Sequence, residues 1–147
     1  MKILRVLFGQ LTQFGGLVFY VAVLGLLLLL NQMRIFLALL ASLVACMGLA
    51  VLIRSFYFKA RPERMKHSNF LERMDASSFP SIHSMRSVSL AFWLSVYFGS
   101  SLIAVYLVSL AVLVILSRII LKKHDVSDVF FGMVFSLAIN LLIWWLM

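Results

Sequence analysis

Four charge-free stretches constrain this chain more than any other feature. They cover residues 6–33, 35–53, 87–117 and 129–147 of 147. A membrane-spanning helix needs about 20 consecutive apolar residues, so the first, second and fourth stretches each read as one span. The third is too long for one span and short for two. Gly99, Ser100 and Ser101 lie near its middle and are turn formers. Splitting there gives two helices, one starting near Pro80 and the other ending near Arg118. A single tilted helix would exceed even a generous span of about 25 residues, and it would put His83 and Arg118 on opposite membrane sides. The expected fold is therefore all-α: a polytopic membrane bundle of about five transmembrane helices, forming one integral-membrane domain over residues 1–147. At 64% hydrophobic residues and a mean hydropathy of +1.10, the chain is too apolar for a soluble globule of its size.

The charges agree with five spans. That layout puts the N-terminus, the 54–86 loop and the 118–128 loop on one side. Twelve of the 13 Lys and Arg residues fall there, and only Arg34 falls on the other side. Short loops rich in Lys and Arg stay in the cytoplasm. The expectation is a multi-pass protein of the cell membrane with this side facing the cytoplasm. The asymmetry survives even without Arg54, Arg61 and Arg118. The net charge of +8 would also suit nucleic acid. Basic residues in loops that flank spans instead point to anionic lipid headgroups, so no nucleic-acid partner is expected. The N-terminal run resembles a signal peptide but is much longer than an h-region of about 7–15 residues, so it reads as a retained span. The single Cys46 allows no intrachain disulfide.

The polar chemistry is confined to what lies between these stretches. The five acids are Glu63, Glu72, Asp75, Asp125 and Asp128, and the two prolines are Pro62 and Pro80. Three patterns follow in order. Arg54 is followed after six residues by Arg61 and Pro62. Next comes Pro80-Ser81-Ile82-His83. Last, Ser117-Arg118 is followed by His124 and then Asp128. A phosphoryl-transfer site that uses no metal must surround three phosphate oxygens with cations and donors. It also needs a nucleophile and an acid for the leaving group. The planar fork of arginine grips phosphate with two parallel bonds, which makes Arg54, Arg61 and Arg118 phosphate-binding candidates. The Ser81 hydroxyl and the amide of Ile82, at an expected helix start, add donors. His124 is the candidate nucleophile, with Asp128 four residues on to accept a hydrogen bond from its ring and fix the tautomer. His83 is the candidate acid, since a histidine titrates near neutral pH. His67 belongs to no pattern and reads as a solvated loop residue. No His, Cys, Asp or Glu set has metal-ligand spacing, so neither metal nor other cofactor is expected.

The three patterns together resemble the type 2 phosphatidic acid phosphatase superfamily, which includes lipid phosphate phosphatases, isoprenyl diphosphate phosphatases, bacterial acid phosphatases and vanadium haloperoxidases. The family pattern is Lys-x6-Arg-Pro, then Pro-Ser-Gly-His, then Ser-Arg-x5-His-x3-Asp, and the resemblance covers residues 54–128. It implies that Arg61 and Arg118 bind phosphate, assisted by Ser81 and the amide of residue 82. It further implies His83 as acid, His124 as nucleophile and Asp128 as its partner. Arg54 stands where the family has Lys, and Ile82 where it has Gly. Two spans precede the first motif where membrane members commonly have three. The expected activity is hydrolysis of a lipid phosphate or diphosphate at the membrane interface, through a phosphohistidine and without metal. Phosphatidic acid, phosphatidylglycerophosphate and polyprenyl diphosphate are the candidate substrates. Two alternatives stand beside it: a phosphotransferase that passes the phosphoryl group to another acceptor, and a non-enzymatic module that holds anionic lipid.

Overall fold

The computed structural model describes residues 2–63 and 68–147. His67, Arg64 and Lys66 lie outside the described residues. Seven α-helices follow one another: α1 (Lys2–Leu11), α2 (Leu17–Leu29), α3 (Met33–Phe56), α4 (Phe70–Ala76), α5 (Ile82–Phe98), α6 (Ser101–Ile120) and α7 (Val126–Leu146). A 3-10 turn at Thr12–Gly15 joins α1 to α2. Among the described residues the structure is all-helical apart from loops and one isolated bridge between Ala60 and Ser77.

Three helices, α3, α6 and α7, are long and apolar enough to cross a membrane. The α1–α2 pair makes a fourth if taken as one broken span. The stretch 6–33 is therefore not the single straight helix expected from its composition, because the pair is bent by 43° at the 3-10 turn. The fifth expected span, α5, has 17 residues and is shorter and more polar than the other three. Its place explains its polarity. It packs against α3, α6 and α7 and touches α2 and the 3-10 turn, so it forms the centre of the bundle and meets protein on most sides. The expected break at Gly99 is present: Gly99 caps α5 with φ +59, a left-handed conformation that glycine adopts without a Cβ penalty.

Two features lock the bundle. An apolar cluster joins Tyr20, Leu24 and Leu27 of α2 to Ile35, Ala38 and Leu39 of α3 and to Leu90 and Trp93 of α5. Beside it, Asn140 of α7 lies fully buried among polar side chains. Its Oδ1 accepts from Ser42 Oγ and from Trp93 Nε1, both at 2.7 Å, and its Nδ2 donates to Ser89 Oγ at 3.0 Å. Ser136 completes the set by donating to the Met85 carbonyl at 2.8 Å. Hydrogen bonds of this kind fix the register of packed helices in an apolar medium, where dispersion between aliphatic side chains does not discriminate between registers.

The bundle has two distinct ends. At one, Arg34 donates to the Met147 carbonyl at 3.4 Å and ties the end of α7 to the start of α3. At the other, the segments around residues 59–63, 77–83 and 121–128 meet. Ser78 N donates to the Lys59 carbonyl at 2.7 Å, and Glu63 N to the Lys122 carbonyl at 3.0 Å. The three sequence patterns lie at this second end.

Candidate active site

Ser81 starts α5. Its hydroxyl caps the helix, accepting from Ser84 N at 3.4 Å and from Ser84 Oγ at 3.0 Å. Its backbone N donates to the Asp128 carbonyl at 3.0 Å, so the second and third patterns are joined through the main chain. The helices come this close because residue 132 on α7 is glycine: a Cβ there would lie 2.8 Å from the Ser81 carbonyl oxygen. Ser81 is itself fully buried. In this structure its hydroxyl accepts as a helix cap, which leaves its own proton free for the donor role expected from the sequence.

Ile82 causes no distortion where the family carries glycine. It is the first residue of α5 and does not adopt a positive φ. Its side chain turns into the apolar cluster of Cys46, Ala50 and Met85, between α3 and α7. The isoleucine side chain is therefore accommodated by packing without backbone strain at this position.

His124 precedes the cap of α7. Its ring is buried, and Nδ1 lies 2.8 Å from the Ser78 carbonyl oxygen and 3.8 Å from Asp128 Oδ2. The expected neighbour is present, but the short contact is to Ser78. A carbonyl can only accept, so Nδ1 carries the proton and the lone pair of the neutral ring sits on Nε2. Burial lowers the pKa of His124, and the charges of Arg118 and Arg61 add to this effect, while Asp128 opposes it. The ring is held neutral at pH 7.

Asp128 is fully buried in the first turn of α7. Its Oδ2 accepts from Asp125 N at 2.9 Å, and its Oδ1 from Lys59 Nζ at 2.7 Å. Lys59 also pairs with Asp125 at 3.0 Å and donates to Ser127 Oγ at 2.9 Å. Partial burial alone would lower its pKa. Its hydrogen bonds to Asp128 and Asp125 outweigh that and hold Lys59 above the usual lysine range.

The expected phosphate-binding arginines divide into two groups. Arg54 is buried, with Nη1 on the Met74 carbonyl and Nη2 on the Pro80 carbonyl, both at 2.9 Å. It braces the loop that leads into His83. Arg61 donates through Nη2 to the Asp75 carbonyl. Arg118 is buried and donates through Nη1 to Thr12 Oγ1 at 2.8 Å. The charges of Arg61, Arg118 and Arg86 all act on His83, as does His124. The ring of His83 is only partly buried and makes no hydrogen bond among the described residues. Behind it the 3-10 turn presses close: a Cβ on Gly15 would lie 2.7 Å from Ser87 Oγ and 3.1 Å from the His83 carbonyl. Among the described residues no group of His, Cys, Asp and Glu has a geometry that could hold a metal ion.

The structure thus gathers two histidines, a buried carboxylate and several guanidinium groups at one end of an apolar bundle. Residues 35–147 match the family model of the PAP2 superfamily. The chain belongs to the PAP2 superfamily. The chemistry of this superfamily is phosphatase-type phosphoryl transfer, and the chain is an enzyme of that kind. No curated protein and no solved structure gives a significant match. The PAP2 match begins within α3, so α1, the 3-10 turn and α2 lie outside it.

Sequence reasoning about this PAP2 chain overlooked Lys59, Arg86, Thr12, Gly132 and the Ser78 carbonyl. Arg86 carried a readable signal: it stands three residues after His83 on an expected helix, hence on the same face, and a charge inside an apolar bundle marks a functional position. Lys59 lies only two residues before Arg61. The other three gave none, because they act through a backbone carbonyl, a missing side chain and a hydroxyl distant in sequence.

Proposed function

We propose that the chain hydrolyses a lipid phosphate or diphosphate at the membrane surface through a phosphohistidine on His124. The observation that carries this reading is the tautomer of His124: the Ser78 carbonyl takes the Nδ1 proton, and Nε2 is left as a neutral nucleophile beside the cations. In the first step Nε2 bonds to phosphorus as the bond to the leaving oxygen breaks. Arg61 and Arg118 take up the charge on the three equatorial oxygens. His83 gives a proton to the leaving oxygen, then takes one from the water that cleaves the phosphohistidine and releases inorganic phosphate. Asp128 acts on the cationic intermediate by charge rather than by a direct hydrogen bond. A lipid suits a site at the end of an apolar bundle. A cleft of about 530 Å³ between α5, α6 and α7, lined by Val88, Ile115 and Met133 among others, is wide enough to take part of an apolar tail.

The test is a panel of lipid monophosphates and diphosphates with purified protein in detergent, read as released phosphate. Turnover should persist in EDTA and fall with vanadate. An acid-quenched reaction should trap phosphoenzyme in the wild type and none in His124→Ala. More than a tenth of wild-type turnover in His124→Ala would rule out His124 as the nucleophile.

A further inference from the structure

The other cations around the site each have a partner. Arg54 holds the Met74 and Pro80 carbonyls, Lys59 holds Asp125 and Asp128, Arg118 holds Thr12, and Arg61 meets Asp75. Arg86 differs. It is 8% exposed, and among the described residues its guanidinium makes no hydrogen bond and no ion pair; its Nε is enclosed without a partner, as are those of Arg54, Arg61 and Arg118, but those three have Nη partners and Arg86 has none. Tyr20 is within electrostatic reach, but its hydroxyl donates to the Leu39 carbonyl at 2.9 Å and supplies no negative charge. A guanidinium withdrawn from water with nothing to balance it is strongly unfavourable. Such a group is tolerated where an anion arrives to meet it.

The position of Arg86 indicates which anion. It stands three residues beyond His83 on α5, on the same side of the helix and about 4.5 Å further into the bundle. Its charge acts on His83 and on Arg118. The phosphoryl group transferred to His124 carries two charges, which Arg61 and Arg118 match. Arg86 is surplus to that group. It also lies about one helical turn past His83 on α5. We infer that Arg86 binds a second phosphate, the one bonded directly to the lipid, so that the substrate is a lipid diphosphate.

This rests on the phosphatase reading above. His124 Nε2 bonds to the terminal phosphorus, and the bond from that phosphorus to the bridging oxygen breaks. The electron pair stays on the bridging oxygen, now part of a lipid monophosphate. Arg86 meets the charge that develops there. His83 gives its proton to that oxygen and regains one from the water that cleaves the phosphohistidine, so the products are the lipid monophosphate and inorganic phosphate.

The experiment compares the full chain in detergent with Arg86→Met and Arg86→Lys, on a prenyl diphosphate and on the monophosphate with the same tail. Arg86→Met should lose roughly tenfold to hundredfold in kcat/KM on the diphosphate and clearly less on the monophosphate. Arg86→Lys should retain part of the difference, since it keeps the charge without the fork. Equal losses on the two substrates would mean that Arg86 serves the transferred group, and would overturn the inference, as would no loss. If the wild type turns over neither substrate, the phosphatase reading fails, and Arg86 is judged by binding alone. A non-hydrolysable prenyl methylenediphosphonate should then raise the Tm of the wild type and not that of Arg86→Met. Equal protection of both, or none of the wild type, would overturn the role of Arg86.

Discussion

The Nδ1 atom of His124 sits 2.8 Å from the carbonyl oxygen of Ser78, and the Asp128 carboxylate is 3.8 Å from the same atom. The main chain therefore selects the tautomer, and the carboxylate supplies charge nearby. The Ser78 carbonyl lies in the loop that leads into α5, five residues before His83 in the first turn of that helix. Movement of that loop would disturb both histidines at once.

The pH profile should reflect the burial of His124. In the proposed mechanism His124 must be neutral to attack, and burial together with Arg118 and Arg61 depresses its pKa. The neutral fraction thus stays high below the ordinary histidine value of about 6.5. The acid limb of kcat/KM should lie below that value and move upward in Arg118→Met, which removes one of the depressing charges. A wild-type limb at or above the ordinary value would contradict the assignment.

Lys59→Met should lower stability as well as activity. It leaves Asp128 fully buried with its main cation removed. Loss of a partly buried pair of this kind costs about 1–3 kcal/mol. Asp125→Asn should cost less, because Asp125 is half exposed. Thermal melts of the three proteins in the same detergent provide the check; equal melting temperatures would show that the pair does not hold α7 in place.

Gly132→Ala and Ile82→Gly should have opposite signatures. The added methyl at 132 meets backbone, the Ser81 carbonyl, at 2.8 Å, so the loop that carries His83 must shift. A displacement of about 1 Å in a catalytic group lowers the rate by roughly a hundredfold. Gly132→Ala should therefore lose kcat while remaining folded. Ile82→Gly restores the family residue, yet it removes a side chain packed on Met85 and Ala50. It should lower the melting temperature without raising turnover. A gain in kcat would show that the isoleucine hinders phosphate binding.

The spans were legible in the sequence because an apolar run has few alternatives in a membrane, and the α5–α6 break was legible because Gly99 can adopt a φ that other residues resist. The grouping of His83, His124 and Asp128 followed from motif spacing. The hydrogen bonds of Arg54 to the Met74 and Pro80 carbonyls were not legible, because an arginine that holds carbonyls and one that grips phosphate look alike in sequence. The bend at the 3-10 turn was hidden as well, since residues 6–33 carry no charge and Gly15–Gly16 could equally have marked close helix packing.

Asn140→Leu should destabilise the bundle and leave the chemistry intact. Hydrogen bonds between helices in membranes contribute about 0.6 kcal/mol on average. Asn140 joins Ser42, Trp93, Ser89 and Ser136, so a loss of about 1–2 kcal/mol is expected. Activity per folded molecule should match the wild type; a fall in kcat would tie this cluster to the site.

The charge difference between the two ends carries a prediction of orientation. The end near Met147 has Arg34, and the opposite end gathers most of the remaining basic residues. The proposed arrangement puts the site in the cytoplasm. A secreted phosphatase reporter fused after Met147 should be active, and fluorescence from a cytoplasm-only reporter at the same place would reverse the assignment.

Thr12 and Gly15 lie outside the stretch that matches the family, yet one holds Arg118 and the other sits behind His83. The recognisable region and the working region are therefore not the same object. A fragment trimmed to residues 35–147 would keep every motif residue and lose the hydroxyl and the wedge that position two of them.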